Sequence, residues 1–252
     1  MNKRVIIILI KEKYISNNEL IEIKNLSKTY KTKTSEVVAL NDISISFESG
    51  KLYAIMGHSG SGKTTLINIM GLLDNASSGD YFFEDKNVNE FNEIERANIR
   101  NSKIGFVFQS FYLDENLTAY ENILLPALKN KNISKEELKN RADELLKKFN
   151  LLDRKNHYPK ELSGGEAQRI AIARALINDP LIIIADEPTG NLDESNERMI
   201  FEYLKDISKS GKCVIVVSHN KDIKKYCDKL YEIKGGKLSW IVKIIINWQT
   251  SI

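Results

Sequence analysis

Cysteine is scarce in this chain: 252 residues hold only Cys213 and Cys227, and their spacing matches no metal-ligand pattern. A disulfide framework is thereby excluded, and two ordinary thiols suit a reducing cytoplasm. No run approaches the roughly 20 apolar residues that a membrane helix needs, so a soluble or peripheral protein is expected. An excess of one charge is missing too, since 37 Lys and Arg stand against 34 Asp and Glu for a net charge of +3. That balance makes no electrostatic case for nucleic acid, and no nucleic-acid partner is expected. Val5–Ile10 follows Lys3 and Arg4 like a signal peptide, but it is too short, Lys11 ends it, and no small-residue cleavage site follows. A second apolar end segment, Trp240–Trp248, is interrupted by Lys243, and neither segment receives a role.

What is present, with 42% hydrophobic residues, is material for one large domain or two small ones. Its centre is GHSGSGKTT, Gly57 to Thr65, which satisfies G-x-x-x-x-G-K-[ST] at every required position. Gly57, Gly60 and Gly62 let the backbone turn tightly enough for successive N–H groups to face one anion. Lys63 adds a cation for the outer phosphates, and the Thr64 hydroxyl suits the shell of a Mg2+ ion. The context agrees: Leu52–Met56 reads as a short buried strand, and Thr65–Leu73 begins a helix whose N-terminal dipole favours phosphate. These residues predict a nucleoside triphosphate site, where a merely flexible Gly/Ser loop would need neither strand nor helix.

Ahead of this loop, Ile21–Leu26 and Ile43–Phe47 alternate apolar and polar residues as antiparallel strands do, with the polar KTKTSE between them. Tyr30 lies just before that polar stretch, and from spacing alone it is either a packing residue or a ring on which a base stacks. Behind the loop, Ser77–Val88 predicts turn and strand, and Glu93–Asn101 a polar helix. Ile104–Gln109 is an apolar strand that stops on an amide, either facing a ligand or lying in a solvated loop. From Leu117 to Ala175 strand patterns vanish, which predicts a helical insert. Asn116 and Thr118 are candidate caps there, and Ser134 with Glu137 forms a candidate capping box before Leu138, Ala142, Leu145, Leu146 and Phe149 at helical spacing.

ELSGGE, Glu161 to Glu166, runs straight into an amphipathic pattern. Open N–H groups at a helix start beside the Ser163 hydroxyl make a second anion receptor, or else an ordinary turn and N-cap. Leu181–Pro188 is an apolar run that ends on Asp186 and Glu187, two carboxylates that are costly there unless a cation or a bound water uses them. Asp186 suits Mg2+, and Glu187 suits a water attacking a γ-phosphate. Thr189–Asp193 is a turn before a helix over Glu194–Lys209, and Lys212–Asn220 is another buried strand with Ser218 and His219 at its polar end. A neutral His219 can accept from a water or donate to a phosphate oxygen. Lys229–Leu238 closes the pattern as strand, turn and strand.

In this order GHSGSGKTT, the strand-end Gln, ELSGGE, LIIIADEP, NLD and SHN resemble the ATP-binding subunit of an ABC transporter, over about Ile21 to Leu238. HSGSGKTTL, GFVFQ, LTAYENILLP, IARAL and ADEPTGNLD are most similar to the lipoprotein-release and macrolide or peptide-export branch, the LolD/MacB type. GGEAQR replaces the GGEQQR common in that branch and leaves Ser163 and its glycines intact, while the two ends of the chain lie outside the pattern.

The resemblance implies an α/β P-loop ATPase with a mixed core sheet, an antiparallel β subdomain and an inserted helical subdomain. Residues 1–19 and 239–252 would be extensions of an ATP-binding domain at 20–238, with the insert at about 110–178. ATP and Mg2+ are its implied ligands. Tyr30 would stack on adenine, and Ser59, Gly60, Ser61, Gly62, Lys63, Thr64 and Thr65 would hold the phosphates. Gln109 would link Mg2+ and the attacking water to the helical lobe, Glu187 would be the general base, and His219 would position it. The resemblance also implies a head-to-tail homodimer, in which Ser163, Gly164 and Gly165 of one copy close over ATP held by the other and Asp193 communicates across the seam. It further implies a separate integral-membrane permease docked near Phe111–Tyr120, at the cytoplasmic face of the membrane, with a peptide, bacteriocin or lipid-linked cargo. A soluble ABC ATPase acting on ribosomes or DNA is the alternative, although the chain has neither a long coiled-coil insertion nor two ATPase units. A small-molecule kinase on the same loop would leave SGGE and His219 unexplained.

Overall fold

Two hydrophobic patterns in the sequence become two sheets. The computed structural model describes residues 19–31, 34–128, 130 and 133–241, so Val5–Ile10 and the stretch after Ile241 lie outside the described residues. The alternating segments form β1 (Glu19–Lys31), β2 (Glu36–Glu48), β4 (Ser78–Phe83) and β5 (Lys86–Asn87), an antiparallel sheet in the order β2-β1-β4-β5. The continuous apolar runs form β3 (Leu52–Met56), β6 (Ile104–Phe108), β7 (Ile182–Asp186) and β8 (Cys213–Val217), joined by β9 (Lys229–Lys234) and β10 (Lys237–Ile241). Their order is β10-β9-β3-β8-β7-β6, parallel throughout except where β10 turns back on β9.

Burial on both faces explains the unbroken apolar runs. Ile182 and Ile184 of β7 and Cys213, Ile215 and Val217 of β8 pack in one core with Ile21, Phe47 and Tyr81 of the antiparallel sheet and with Leu66 and Met70 of α1 (Lys63–Met70). Ile183, Ala185, Val214 and Val216 face the opposite way, onto the helices. There α5 (Gly164–Leu176) brings Ile170 and Ala173, and α6 (Glu194–Lys209) brings Phe201 and Leu204. Each fully buried Val, Ile or Leu contributes about 1.5–3 kcal/mol relative to exposure. Beyond them α3 (Ala119–Leu124) and α4 (Lys135–Lys148) complete a helical lobe, while α2 (Glu93–Lys103) leads into β6.

Some boundaries differ from the sequence reading. β2 starts at Glu36 rather than Ile43, because its early residues pair with β1 through the backbone while Val37 and Val38 stay exposed. β10 runs through Leu238 to Ile241, since Ile241 and Trp240 pair with Leu230 and Tyr231. Thr118 caps α3 in a full capping box with Glu121, whereas the Asn116 side chain turns to Asp114. Ser134 accepts from the Glu137 N–H, while the Glu137 carboxylate pairs with Arg141 at 2.8 Å and returns no bond to Ser134. Both cysteines are buried.

Candidate functional site

Strand register brings the polar strand ends together. Ile55 pairs with Val217, Val217 with Asp186, and Asp186 with Phe108. The residues that follow these positions therefore leave the carboxyl edge of one parallel sheet side by side, where open α/β sheets bind ligands.

From β3 the chain enters the Gly57–Thr65 loop, whose close packing demands glycine. A Cβ on Gly57 would lie 2.5 Å from the Ile233 carbonyl oxygen, and Gly62, at φ +105°, would drive one to 2.4 Å from that of Ala39. Lys63 folds over the loop and donates from Nζ to the carbonyls of Gly57 at 2.7 Å and His58 at 3.0 Å. Gly62 caps α1 without a side chain, and no acid stands in the first turn. The first N–H groups of that helix and its dipole are thus left open to an anion.

In front of the loop is a cleft of about 510 Å³. Ser59, Gly60, Gly62, Lys63, Thr64 and Thr65 form one wall, and Gln109, Asp186, Glu187 and His219 form the other. Val37, Val38 and Ala39 of β2 close a third side, bringing the antiparallel sheet to the site.

The adjacent acids are treated differently. Burial pushes the Asp186 carboxyl above its usual range, the Glu187 charge adds to that, and Lys63 opposes it. Glu187 sits in the left-handed region at φ +46°, with its N–H donated to the Val217 carbonyl at 2.8 Å. Its carboxylate accepts from the Ser218 hydroxyl at 3.1 Å and from the His219 backbone N–H at 3.1 Å, and it lies 2.9 Å from His219 Nδ1. Its side chain is only 15% exposed, whereas that of His219 is 70% exposed. Gln109 is pressed against Gly190, where a Cβ would meet its Nε2 at 2.6 Å. Asn191 completes the clamp, accepting from Gln109 Nε2 at 3.3 Å and donating to the Gln109 carbonyl at 3.1 Å.

Other sequence-derived candidates lie outside this cleft. Gly57 and Ser61 pack together within the loop, a Cβ on Gly57 falling 2.6 Å from Ser61 Oγ, and the buried Ser61 hydroxyl has no partner among the described residues. Tyr30 donates its hydroxyl to Asp74 at 2.8 Å, with the Lys28 ammonium 4.8 Å from its ring centroid. Burial, then the Asp74 bond, pushes that hydroxyl above its usual range. Ser163 caps α5 in a reciprocal box with Glu166, which also binds Arg154 at 2.8 Å. Asp193 caps α6 and accepts from the Asn196 backbone and side chain. Asn191 and the Val37–Val38 wall were not singled out from the sequence, and Ser218 was named there at a strand end without a role. Ser218 and Asn191 were visible inside SHN and NLD, but nothing local signalled Asp74, which meets Tyr30 only through the fold.

The ABC transporter family pattern matches residues 40–190. The chain belongs to the ABC transporter family. It is 42% identical over 225 residues to the lipoprotein-releasing system ATP-binding protein LolD of Wigglesworthia glossinidia brevipalpis, covering 89% of this chain and 98% of that protein. Against the macrolide export ATP-binding/permease protein MacB of Chlorobaculum tepidum it is 43% identical over 217 residues, 86% of this chain but 33% of that longer protein. A dimeric ATP-binding cassette solved in a post-hydrolysis state with ADP and Pi is 40% identical, with a TM-score of 0.80, over 87% of this chain and 96% of that one. This ABC-family chain is therefore an ATPase subunit of the LolD/MacB type, with the α/β fold expected from its motifs.

Proposed function

We propose that two copies of this chain close head to tail around two ATP molecules and drive a membrane permease, with Glu187 as the general base of hydrolysis. The fixed Glu187 carboxylate carries this reading: it faces the Lys63 cleft and is held by Ser218 and His219. In the assignment, Tyr30 stacks on adenine and residues 59–65 hold the phosphates. Glu187 takes a proton from water as the water oxygen bonds the γ-phosphorus, and the bond to the β-phosphate oxygen breaks to leave ADP and phosphate. His219 orients the acid and the γ-phosphate, and Gln109 orients the water. Such chemistry needs positioning and charge neutralisation more than covalent help.

Mg2+ fits the donors here. Thr64, Gln109 and Asp186 line the same cleft, and the Asp186 carboxyl is held up by burial and by a neighbouring negative charge. Hydroxyl, amide and carboxylate oxygens with phosphate oxygens are the ligand set of this ion. When bound it neutralises charge on the phosphates.

Ser163, Gly164 and Gly165 do not line their own cleft, which supports their serving the partner's ATP, with Asp193 communicating across the seam. The dimeric state of the similar solved cassette supports the same arrangement. Among the described residues no helix is long and apolar enough to cross a membrane. The similar MacB proteins are named as ATP-binding and permease protein in one, which supports a permease as this chain's working partner and a peripheral place on the cytoplasmic face. Phe111 and Tyr112, both with positive φ and with Tyr112 67% exposed, begin the docking surface proposed for it at Phe111–Tyr120. Export of a peptide, bacteriocin or lipid-linked cargo follows from similarity to lipoprotein-releasing and macrolide-export proteins.

Glu187→Gln is the test. ATP binding is expected to persist, hydrolysis to fall by about 10³-fold or more, and an ATP-bound dimer to accumulate in size-exclusion chromatography. Normal turnover in this variant rejects the assigned base.

A further inference from the structure

Gln168 is a fully buried amide on α5 that donates from Nε2 to the Pro188 carbonyl at 2.7 Å, while its Oε1 has no partner among the described residues. Its helix neighbours Ala167, Ile170 and Ala171 are buried and apolar. A carboxamide with an unpaired oxygen is a poor choice there for packing alone. Its bond supplies the reason. The Pro188 carbonyl can only accept, so Nε2 must face it.

Pro188 directly follows Glu187, whose left-handed backbone is a conformation that persists only where the surroundings impose it. On one side the Glu187 N–H is tied to Val217 of β8. On the other, Gln168 holds the next carbonyl. α5 is also the helix that opens with Ser163, Gly164 and Gly165, and a Cβ on Gly165 would lie 2.1 Å from Asn196 Oδ1, so its start rests on the chain that follows Glu187.

We propose that Gln168 is a positioning residue for Glu187. It ties the turn carrying the acid to the helix presenting Ser163–Gly165, so that a shift of this helix on dimer closure reaches the acid of the same chain. The proposal rests on the dimer reading above and adds to it a route from one ATP site to the other.

Two variants of the full chain test it. Gln168→Met keeps the length of the side chain and removes the donor, while Gln168→Leu removes it with a shorter, branched apolar side chain. Misplacing a reacting group lowers kcat rather than substrate affinity, so kcat should fall about tenfold or more with KM for ATP within about twofold. In the Glu187→Gln background, either variant should still form the Mg-ATP dimer.

A folded Gln168→Met protein with wild-type kcat overturns the proposal. So does a parallel loss of kcat, ATP affinity and dimer in both variants, or unfolding of both, because the amide is then a core-stability group. If Gln168→Met alone fails to fold, Gln168→Leu decides by the same split. Glu187→Gln by itself separates the two readings. Absence of its ATP dimer rejects the dimer, whereas its presence beside normal turnover of Gln168→Met rejects only the positioning role.

Discussion

Two helices in this protein begin with serine and glycine, and the fold uses them in opposite ways. At the start of α1 the cap is Gly62, with no side-chain bond and no acid in the first turn, so the donors face an open cleft walled by Lys63 and Thr64. At the start of α5 the Ser163 hydroxyl and the Glu166 carboxylate already bind each other's backbone, and Arg154 binds the carboxylate in turn. The first end waits for a ligand. The second is largely satisfied within its own chain, with only the Gly164 and Gly165 N–H groups left over by helix geometry. Anion affinity at a helix start thus depends on which side chains got there first, a distinction that a Ser-Gly-Gly pattern does not carry.

The sharpest way to break this comparison is Lys63→Ala. Removing the cation from the open end should weaken ATP binding by about 100-fold or more, as read by equilibrium binding of a fluorescent ATP analogue to dilute protein. An unchanged affinity would place the nucleotide elsewhere. Ser163→Arg probes the other end. Hydrolysis should fall by about 100-fold with ATP affinity of the dilute chain within about twofold, because this end serves the partner. Mixing the Ser163→Arg and Lys63→Ala proteins should recover activity that neither has alone, since one composite site then draws both intact halves. No recovery would count against the shared site.

The smallest effect concerns the cap itself. Hydrogen bonding from Ser163, reinforced by Arg154 against a burial penalty, holds the Glu166 carboxyl down to about 2, against an ordinary value of 4.5. A depressed folded-state pKa contributes stability above the ordinary value, and that stability is lost as pH falls towards 2. Glu166→Gln should therefore lower stability by about 1 kcal/mol at neutral pH, with the difference in Tm from wild type shrinking between pH 4.5 and 2. A gap that stays constant over that window would show the charge to be irrelevant to the cap.

How much of this was legible beforehand differs by residue. Gly57–Thr65 and Leu181–Pro188 could be read because each carries chemistry and local structure in one short stretch. The strand of Lys212–Asn220 was visible for the same reason, but its Ser218 contact with Glu187 was not, because the two meet only when β7 and β8 pair. Val37 and Val38, between the polar KTKTSE and Ile43–Phe47, carried no signal in the sequence and form a wall of the cleft, since strand pairing holds them in place without burying them. At Ser134 and Glu137 only half of the capping pattern forms, and the Glu137 carboxylate pairs with Arg141 one helical turn away.

By itself the sequence determined the local units: the glycine loop, the twin acids at a strand end, the apolar runs that demand burial on both faces, and the helical insert. Backbone conformation, periodicity and residue chemistry act over a few residues, so they can be read along a line. Only the tertiary structure decided that Glu187 is pinned by Ser218 and His219, that Gln109 is clamped by Asn191, and that Gln168 holds the carbonyl beside the acid. Each of those contacts joins segments distant in sequence, and its geometry is fixed by sheet order and helix packing rather than by any local preference.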